Sequence, residues 1–412
     1  MERKAFVGEL GLDGSLRPIR GALSVAEACR RAGITSLVLP RENAPEAGVV
    51  GEVEVLGASH FLEVLSDVRG DEPLARIAVD ASRLLEGGGK WAGDLSDVRG
   101  QGHVKRALEV AAAGGHNILL LGPPGSGKTM LARRLPGILP PLKLEEAVEA
   151  TRVHSVAGLL PPGEPLLRNR PFRAPHHTVS DAGMVGGGRI PRPGEVSLAH
   201  NGVLFLDELP EYRRNVLEAL RQPLEDGEVL LARAQVSLRF PSRFVLVAAM
   251  NPCPCGFFGD GTDRCTCDPT QVLRYRARVS GPLLDRIDIH VPVVRVPFHD
   301  LKEEGNQGES AEVRDRVAQA RALQEERFGR ASVIYSNGQM GPGELRTYCR
   351  PSREVAGILQ KAMRGLSLSA RAYHRILKVA RTIADLDGGA DIAPGHVAEA
   401  IQYRSLDRKR PV

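Results

Sequence analysis

The sequence predicts an α/β protein: a parallel sheet held between helices, with a small α/β unit before it and an all-α domain after it. Three observations predict this. Ile118–Leu121, Val203–Leu206 and 244–249 are continuous apolar runs bounded by glycine, proline or asparagine, the pattern of strands buried on both faces of a parallel sheet. A glycine-rich loop joins the first run to a helical stretch at 129–135. Beyond residue 311 the spacing turns helical, over 311–329 and 352–402.

In chain order, residues 1–70 alternate short apolar runs with turns, and the spacing predicts a helix over 25–32 and a buried strand over 36–39. Residues 71–96 form a linker containing Gly87, Gly88 and Gly89; a glycine run costs much entropy to order and marks a joint. Residues 97–300 carry the strand, loop, helix, strand pattern of the core. Within it, 158–195 is rich in Gly, Pro and Arg and is expected to be an inserted loop. Residues 301–310 are a polar linker, and 311–412 make the helical domain.

The 412 residues are 42% hydrophobic and 25% charged, an ordinary globular balance, so two or three domains are expected. Net charge is +5, which permits nucleic-acid binding without requiring it. No apolar run approaches the roughly 18 residues that span a bilayer, so no membrane association is expected. The first residues lack the shape of a signal peptide, and a cytoplasmic location is expected.

Gly122, Pro123, Pro124, Gly125, Ser126, Gly127, Lys128 and Thr129 fit G-x-x-x-x-G-K-[ST] completely, between a strand and a helix as that motif requires. Glycines let backbone N–H groups curl around phosphates, and the helix start adds partial positive charge. Lys128 would reach the outer phosphates and Thr129 would ligate Mg²⁺, so ATP and Mg²⁺ are the expected cofactors. About 80 residues on, the run Val203–Leu206 ends in Asp207 and Glu208. Asp207 suits Mg²⁺, and Glu208 suits a general base that polarises the attacking water. Asn251 ends the third strand, where an amide can position that water. Arg286 lies between Asp285 and Asp288; it either serves a transferring phosphate or pairs with one of those carboxylates.

Four of the six cysteines, Cys253, Cys255, Cys265 and Cys267, make C-x-C-x₉-C-x-C. Four thiolates suit tetrahedral Zn²⁺, and a metal would order the glycine-rich loop between them; the other reading is free thiols in a mobile loop. His176 and His177 follow a proline and read as structural.

Together, the phosphate loop, Val203-Leu204-Phe205-Leu206-Asp207-Glu208, Met250-Asn251-Pro252-Cys253-Pro254-Cys255 and Gly281-Pro282-Leu283-Leu284-Asp285-Arg286 resemble the magnesium-chelatase-like AAA+ ATPases. Within them the sequence is similar to the ComM/YifB competence proteins, and Phe172-Arg173-Ala174-Pro175-His176-His177-Thr178 strengthens that likeness. It extends over essentially the whole chain. The resemblance implies an AAA+ core with an α-helical lid. It implies Walker A roles for Lys128 and Thr129, Walker B roles for Asp207 and Glu208, and sensor 1 for Asn251. It makes Arg286 an arginine finger serving the neighbouring subunit, and Arg371 the sensor 2 arginine, with Arg375 its rival. It also implies a hexameric ring that acts as a DNA helicase in branch migration during natural transformation. A motor subunit acting on a protein partner is the alternative.

The resemblance further places insertions at 158–195 and at the 229–238 hairpin beside the central pore. There Arg168, Arg170, Arg173, Arg189, Arg192, Arg233 and Arg239 are expected to grip phosphates without reading sequence. Residues 1–65 resemble part of the ribosomal-S5-like fold shared with the Lon protease domain. The position near Ala26 holds no lysine, so proteolysis is not expected. Such relatives carry more of this domain upstream, so the chain is expected to be shortened at its N-terminus.

Overall fold

The computed structural model describes residues 3–86, 91, 93–161, 163–188, 191–232, 237–296, 308–329, 334–366 and 368–404. Arg189, Arg233, the Gly87-Gly88-Gly89 run and residues 301–307 of the second linker lie outside them.

The N-terminal unit is a parallel sheet of β1 (Lys4–Phe6), β2 (Ser36–Pro40) and β3 (Glu54–Ala58), in that order. Helix α1 (Ala22–Arg31) packs Ala22, Ala26 and Cys29 against Leu37, Leu39 and Val55, and α2 (Phe61–Arg69) follows β3. The stretch that follows holds a short helix, Ala81–Glu86, and a 3₁₀ turn, Leu95–Asp97.

The core opens with α3 (Gly102–Gly114), β4 (Ile118–Leu121), α4 (Lys128–Ile138) and α5 (Leu144–Ala157). Next come β5 (Phe172–Arg173), α6 (Asp181–Val185), β6 (Val203–Leu206) and α7 (Arg221–Asp226). A hairpin of β7 (Glu228–Ala232) and β8 (Ser237–Pro241) leads to β9 (Val245–Met250), α8 (Pro269–Arg276) and β10 (Ile289–Pro292). Five strands form one sheet in the order β10-β4-β9-β6-β5, every pair parallel. Because all run the same way, the loops after β4, β6 and β9 emerge at one end of the sheet. This is the parallel sheet between helices that the sequence predicts.

The lid helices α9 (Glu309–Phe328), α10 (Arg353–Leu366), α11 (Ala370–Leu386) and α12 (Pro394–Gln402) share one apolar cluster with the core, through Val313, Val317, Ile376 and Ile383. The N-terminal unit is docked on α5. Buried Glu46 accepts hydrogen bonds from Leu23 N at 2.8 Å and from Ser155 Oγ, while Arg152 pairs with Glu27 at 2.9 Å. A buried carboxylate persists only when its oxygens are satisfied, and here they join two units. Among the described residues, no helix is long and apolar enough to cross a membrane.

The region 158–195 is more ordered than the sequence suggests. Phe172 and Arg173 pair with Val203 and Leu204 as the edge of the core sheet, and Gly186–Gly187 pairs antiparallel with Arg192–Pro193. Two paired residues flanked by prolines are too few to show a strand's apolar pattern.

Candidate active site at the phosphate loop

The loop after β4 is built by its glycines. At Gly122 a Cβ would lie 2.1 Å from the Val293 carbonyl oxygen, so no side chain fits. Gly125 and Gly127 take φ of 75° and 92°, a left-handed conformation that other residues adopt only with strain, and both face open space. Helix α4 starts directly after, at Lys128, presenting its free N–H groups toward the loop. Ser126 is buried, with its hydroxyl unpartnered among the described residues. A cradle of open backbone N–H groups and a spare hydroxyl fits a nucleotide's phosphates.

Lys128 is buried and reaches back over the loop. Its Nζ donates to the carbonyls of Gly122 at 2.7 Å and Pro123 at 2.9 Å, and to Asn251 Oδ1 at 3.1 Å. Burial pushes its pKa down, and the charges of Asp207 and Glu208 oppose that shift. Thr129 Oγ1 donates to Asp207 Oδ2 at 2.7 Å, and Asp207 Oδ1 accepts the Glu208 N–H at 2.9 Å. A hydroxyl and a carboxylate so placed fit a Mg²⁺ site. Thus Lys128, Thr129, Asp207, Glu208 and Asn251 gather at the ends of three adjacent strands.

Glu208 departs from ordinary backbone geometry, with φ of 51°. Strain of this kind persists where the surroundings over-determine it, often at functional sites. Its side chain is 56% exposed, and Oε2 lies 3.5 Å from His177 Nδ1. His177, read from the sequence as structural, thus stands beside Glu208. Its signal was hidden because the strand that aligns it is only two residues long.

The arginines sit elsewhere. Arg286 precedes β10, whose Ile289 pairs with Ile118 at the start of β4, whereas the phosphate loop follows β4's end. Four strand residues separate the two levels, roughly 13 Å at about 3.3 Å each. Arg286 is buried, donating to the Pro282 carbonyl at 2.6 Å and pairing with Glu225 on α7. It pairs with neither Asp285 nor Asp288. Asp288 is taken by Arg375 on α11 and by His116 at 3.4 Å. Arg375 is thus tied to the far end of the sheet, away from the phosphate loop of its own chain, as Arg286 is; Arg371, one helical turn earlier, is exposed.

Cys253, Cys255, Cys265 and Cys267 have sulfurs within 4.8 Å of one another. Individual pairs stand at 3.3 Å (Cys253–Cys255), 3.7 Å (Cys255–Cys265) and 3.9 Å (Cys253–Cys265). Tetrahedral zinc with bonds of about 2.3 Å separates its sulfurs by about 3.8 Å, so this cluster fits the ion. The loop also leans on the nucleotide site: a Cβ on Gly256 would meet Pro124 Cδ at 2.5 Å.

Comparison with known proteins places this geometry in a family. The model of magnesium chelatase subunit ChlI matches residues 94–301, that of the ChlI C-terminal part matches 307–404, and a further ChlI model matches 1–43. The chain belongs to the magnesium-chelatase family. Within this family, it is 47% identical to competence protein ComM of Haemophilus influenzae over 409 residues, covering 98% of this chain and 78% of that protein. It is 45% identical to YifB of Escherichia coli over 411 residues, covering 99% and 78%. Likeness to the magnesium-chelatase 38 kDa subunit of Rhodobacter capsulatus is 31% over 177 residues, covering 38% of this chain and 50% of that subunit.

Of the arginines expected on the two insertions of this magnesium-chelatase family member, two are structural. Arg170 is tied to Glu146 at 2.9 Å and to backbone carbonyls, and Arg173 forms a two-pronged pair with Glu195 at 2.7 and 2.8 Å. Arg168 and Arg192 are exposed, and Arg239 is exposed with a loose contact to Glu228 at 3.5 Å.

Proposed function

We propose that this chain is an ATP-hydrolysing, ring-forming motor that translocates on DNA, in branch migration of recombining strands during natural transformation. The observation that supports hydrolysis is the meeting of Lys128, Thr129, Asp207, Glu208 and Asn251 at one end of the sheet. Exposed Arg168, Arg192 and Arg239 on the inserted segments, and the likeness to a competence protein along nearly the whole chain, support DNA as substrate.

Lys128 neutralises charge on the outer phosphates of bound ATP, and the backbone of residues 122–127 holds them in place. Thr129 and Asp207 would hold Mg²⁺, which supplies further charge neutralisation as the terminal phosphoryl group leaves. Asn251 orients the attacking water and Glu208 accepts its proton. Catalysis of this kind is positioning plus electrostatic stabilisation. Arg286, held away from its own phosphate loop, serves the nucleotide of a neighbouring subunit in a hexamer and must first leave Glu225, and Arg371 is the sensor 2 arginine on the helical lid. The four cysteines hold a structural Zn²⁺. A motor acting on a protein partner is the other reading; the magnesium-chelatase family models support it, while likeness to the chelatase 38 kDa subunit itself is shorter and weaker than that to the competence protein.

Binding of labelled single-stranded DNA, with a non-hydrolysable ATP analogue present, tests the substrate. The expected result is nucleotide-dependent binding without sequence preference that weakens at least tenfold between about 50 and 200 mM salt. Binding of the analogue with no DNA binding would favour the protein-partner reading.

A further inference from the structure

Charge is unevenly placed along this chain, and the lid holds the excess. The whole sequence has 55 basic residues against 50 acidic ones. From Leu345 to Ala384 there are nine Lys and Arg residues and one carboxylate, Glu354. Three of the nine turn inward: Arg375 pairs with Asp288, Arg381 pairs with Asp385 at 2.9 Å, and Lys378 donates to the Gly338 carbonyl at 2.9 Å. The other six, Arg346, Arg350, Arg353, Lys361, Arg364 and Arg371, are exposed.

Helix α10 sorts its residues by face. Val355 and Leu359 are buried, and Ile358, Ala362, Met363 and Leu366 pack against the core cluster. Arg353, Gly357, Gln360, Lys361 and Arg364 recur with the helical period on the opposite face. Among the described residues, no carboxylate pairs with Arg353, Lys361 or Arg364. Lys361 and Arg364 stand one turn apart, where like charges destabilise a helix, and nothing in the chain offsets them. Glu354 lies in the first turn, where its charge complements the free N–H groups of the helix start. At Gly357 a Cβ would meet nothing within 4 Å, so packing does not demand a glycine. A glycine there weakens the helix, but it leaves room for another chain to approach between Arg353 and Lys361. Arg353 to Arg364 spans about 16 Å of helix rise. Over that length one strand of a duplex carries roughly five phosphates, at about 3.4 Å each.

We propose that the outer face of α10 binds the phosphate backbone of DNA, as a contact surface separate from the inserted segments at 158–195 and 229–238. This deepens the DNA reading and rests on it. A row of unpaired cations on a rigid helix matches a linear polyanion, and such contacts hold the strand in place without reading its bases. Arg353, Lys361 and Arg364 are the contacts the proposal requires.

The test is binding of labelled single-stranded DNA to the full chain with a non-hydrolysable ATP analogue, at about 50 to 200 mM salt. One variant combines Arg353→Gln, Lys361→Gln and Arg364→Gln; a charge-keeping control combines Arg353→Lys and Arg364→Lys. The triple variant is expected to bind about tenfold more weakly at the lowest salt. Its slope of log affinity against log salt should shrink by about 2, at about 0.7 for each lost phosphate contact. The control should stay within about threefold of wild type, and both variants should keep DNA-free ATPase within about twofold. Affinity of the triple variant within about twofold of wild type, with an unchanged slope, would overturn the proposal. So would an equal loss in the control, or a parallel loss of DNA-free ATPase and assembled mass, which would make this face a contact with a neighbouring subunit. Tighter binding of polyglutamate than of DNA would overturn it in favour of an acidic protein segment. Wild-type protein that binds no DNA at all would overturn the DNA reading on which the proposal rests.

Discussion

Lys128 donates a hydrogen bond of 3.1 Å to Asn251, linking the phosphate loop to the end of β9. The amide oxygen is thereby engaged by the lysine of the phosphate loop. Asn251→Ala removes both the anchor and the water-orienting group. We expect kcat to fall about 10- to 100-fold with ATP still bound, in line with the loss of one preorganised contact. Steady-state rates beside equilibrium binding of a fluorescent nucleotide separate the two effects, and loss of binding alone would refute the assigned role.

Glu225 on α7 pairs with Arg286, in the turn before β10, within one chain. If Arg286 acts on the next subunit, Arg286→Ala leaves each subunit's own phosphate loop intact. Mixing Arg286→Ala with Lys128→Ala, each inactive alone, should then restore activity, because the intact phosphate loop of the first chain meets the intact arginine of the second. A mixture with no activity would argue that the arginine works within its own chain or not at all.

The cysteine cluster should contain one zinc per chain by elemental analysis. Cys255→Ser should lose it and weaken nucleotide affinity, because the loop at Gly256 packs against Pro124. Protein that takes up no zinc from zinc-containing buffer would remove this assignment.

Acid should destabilise the fold below about pH 6.5. Burial pulls the His290 pKa down to about 3, and the nearby Arg404 adds to the shift; burial also lowers that of His116. Unfolded histidine binds a proton near pH 6.5 and the folded rings do not, so the unfolded state gains protons as pH falls. For His290 the loss is roughly 2 kcal/mol at pH 5. Asp288 acts later: burial would raise its pKa, but Arg375 and His116 prevail and hold it well below the usual carboxylate range. Its contribution is present above about pH 4 and is lost below that. Thermal melts from pH 8 to 4 check this, and a Tm unchanged between pH 7 and 5 would contradict it.

Much of the site was legible because its chemistry is local. The residues from Gly122 to Thr129 are contiguous, and Asp207, Glu208 and Asn251 each follow an apolar run long enough to read as a buried strand. What escaped the sequence depends on pairing between distant segments. His177 reaches Glu208 only through a two-residue strand, and Arg286 finds Glu225 across 61 positions in preference to the acidic neighbours beside it. Arg170 and Arg173 looked like free charges because Glu146 and Glu195, which satisfy them, lie 24 and 22 residues away.

The most direct measurement is the ATPase rate with and without single-stranded and forked DNA, beside a Glu208→Gln control. The account predicts a DNA-dependent rise in wild type that the control abolishes. Measurable basal hydrolysis that neither DNA alters would contradict a motor on DNA.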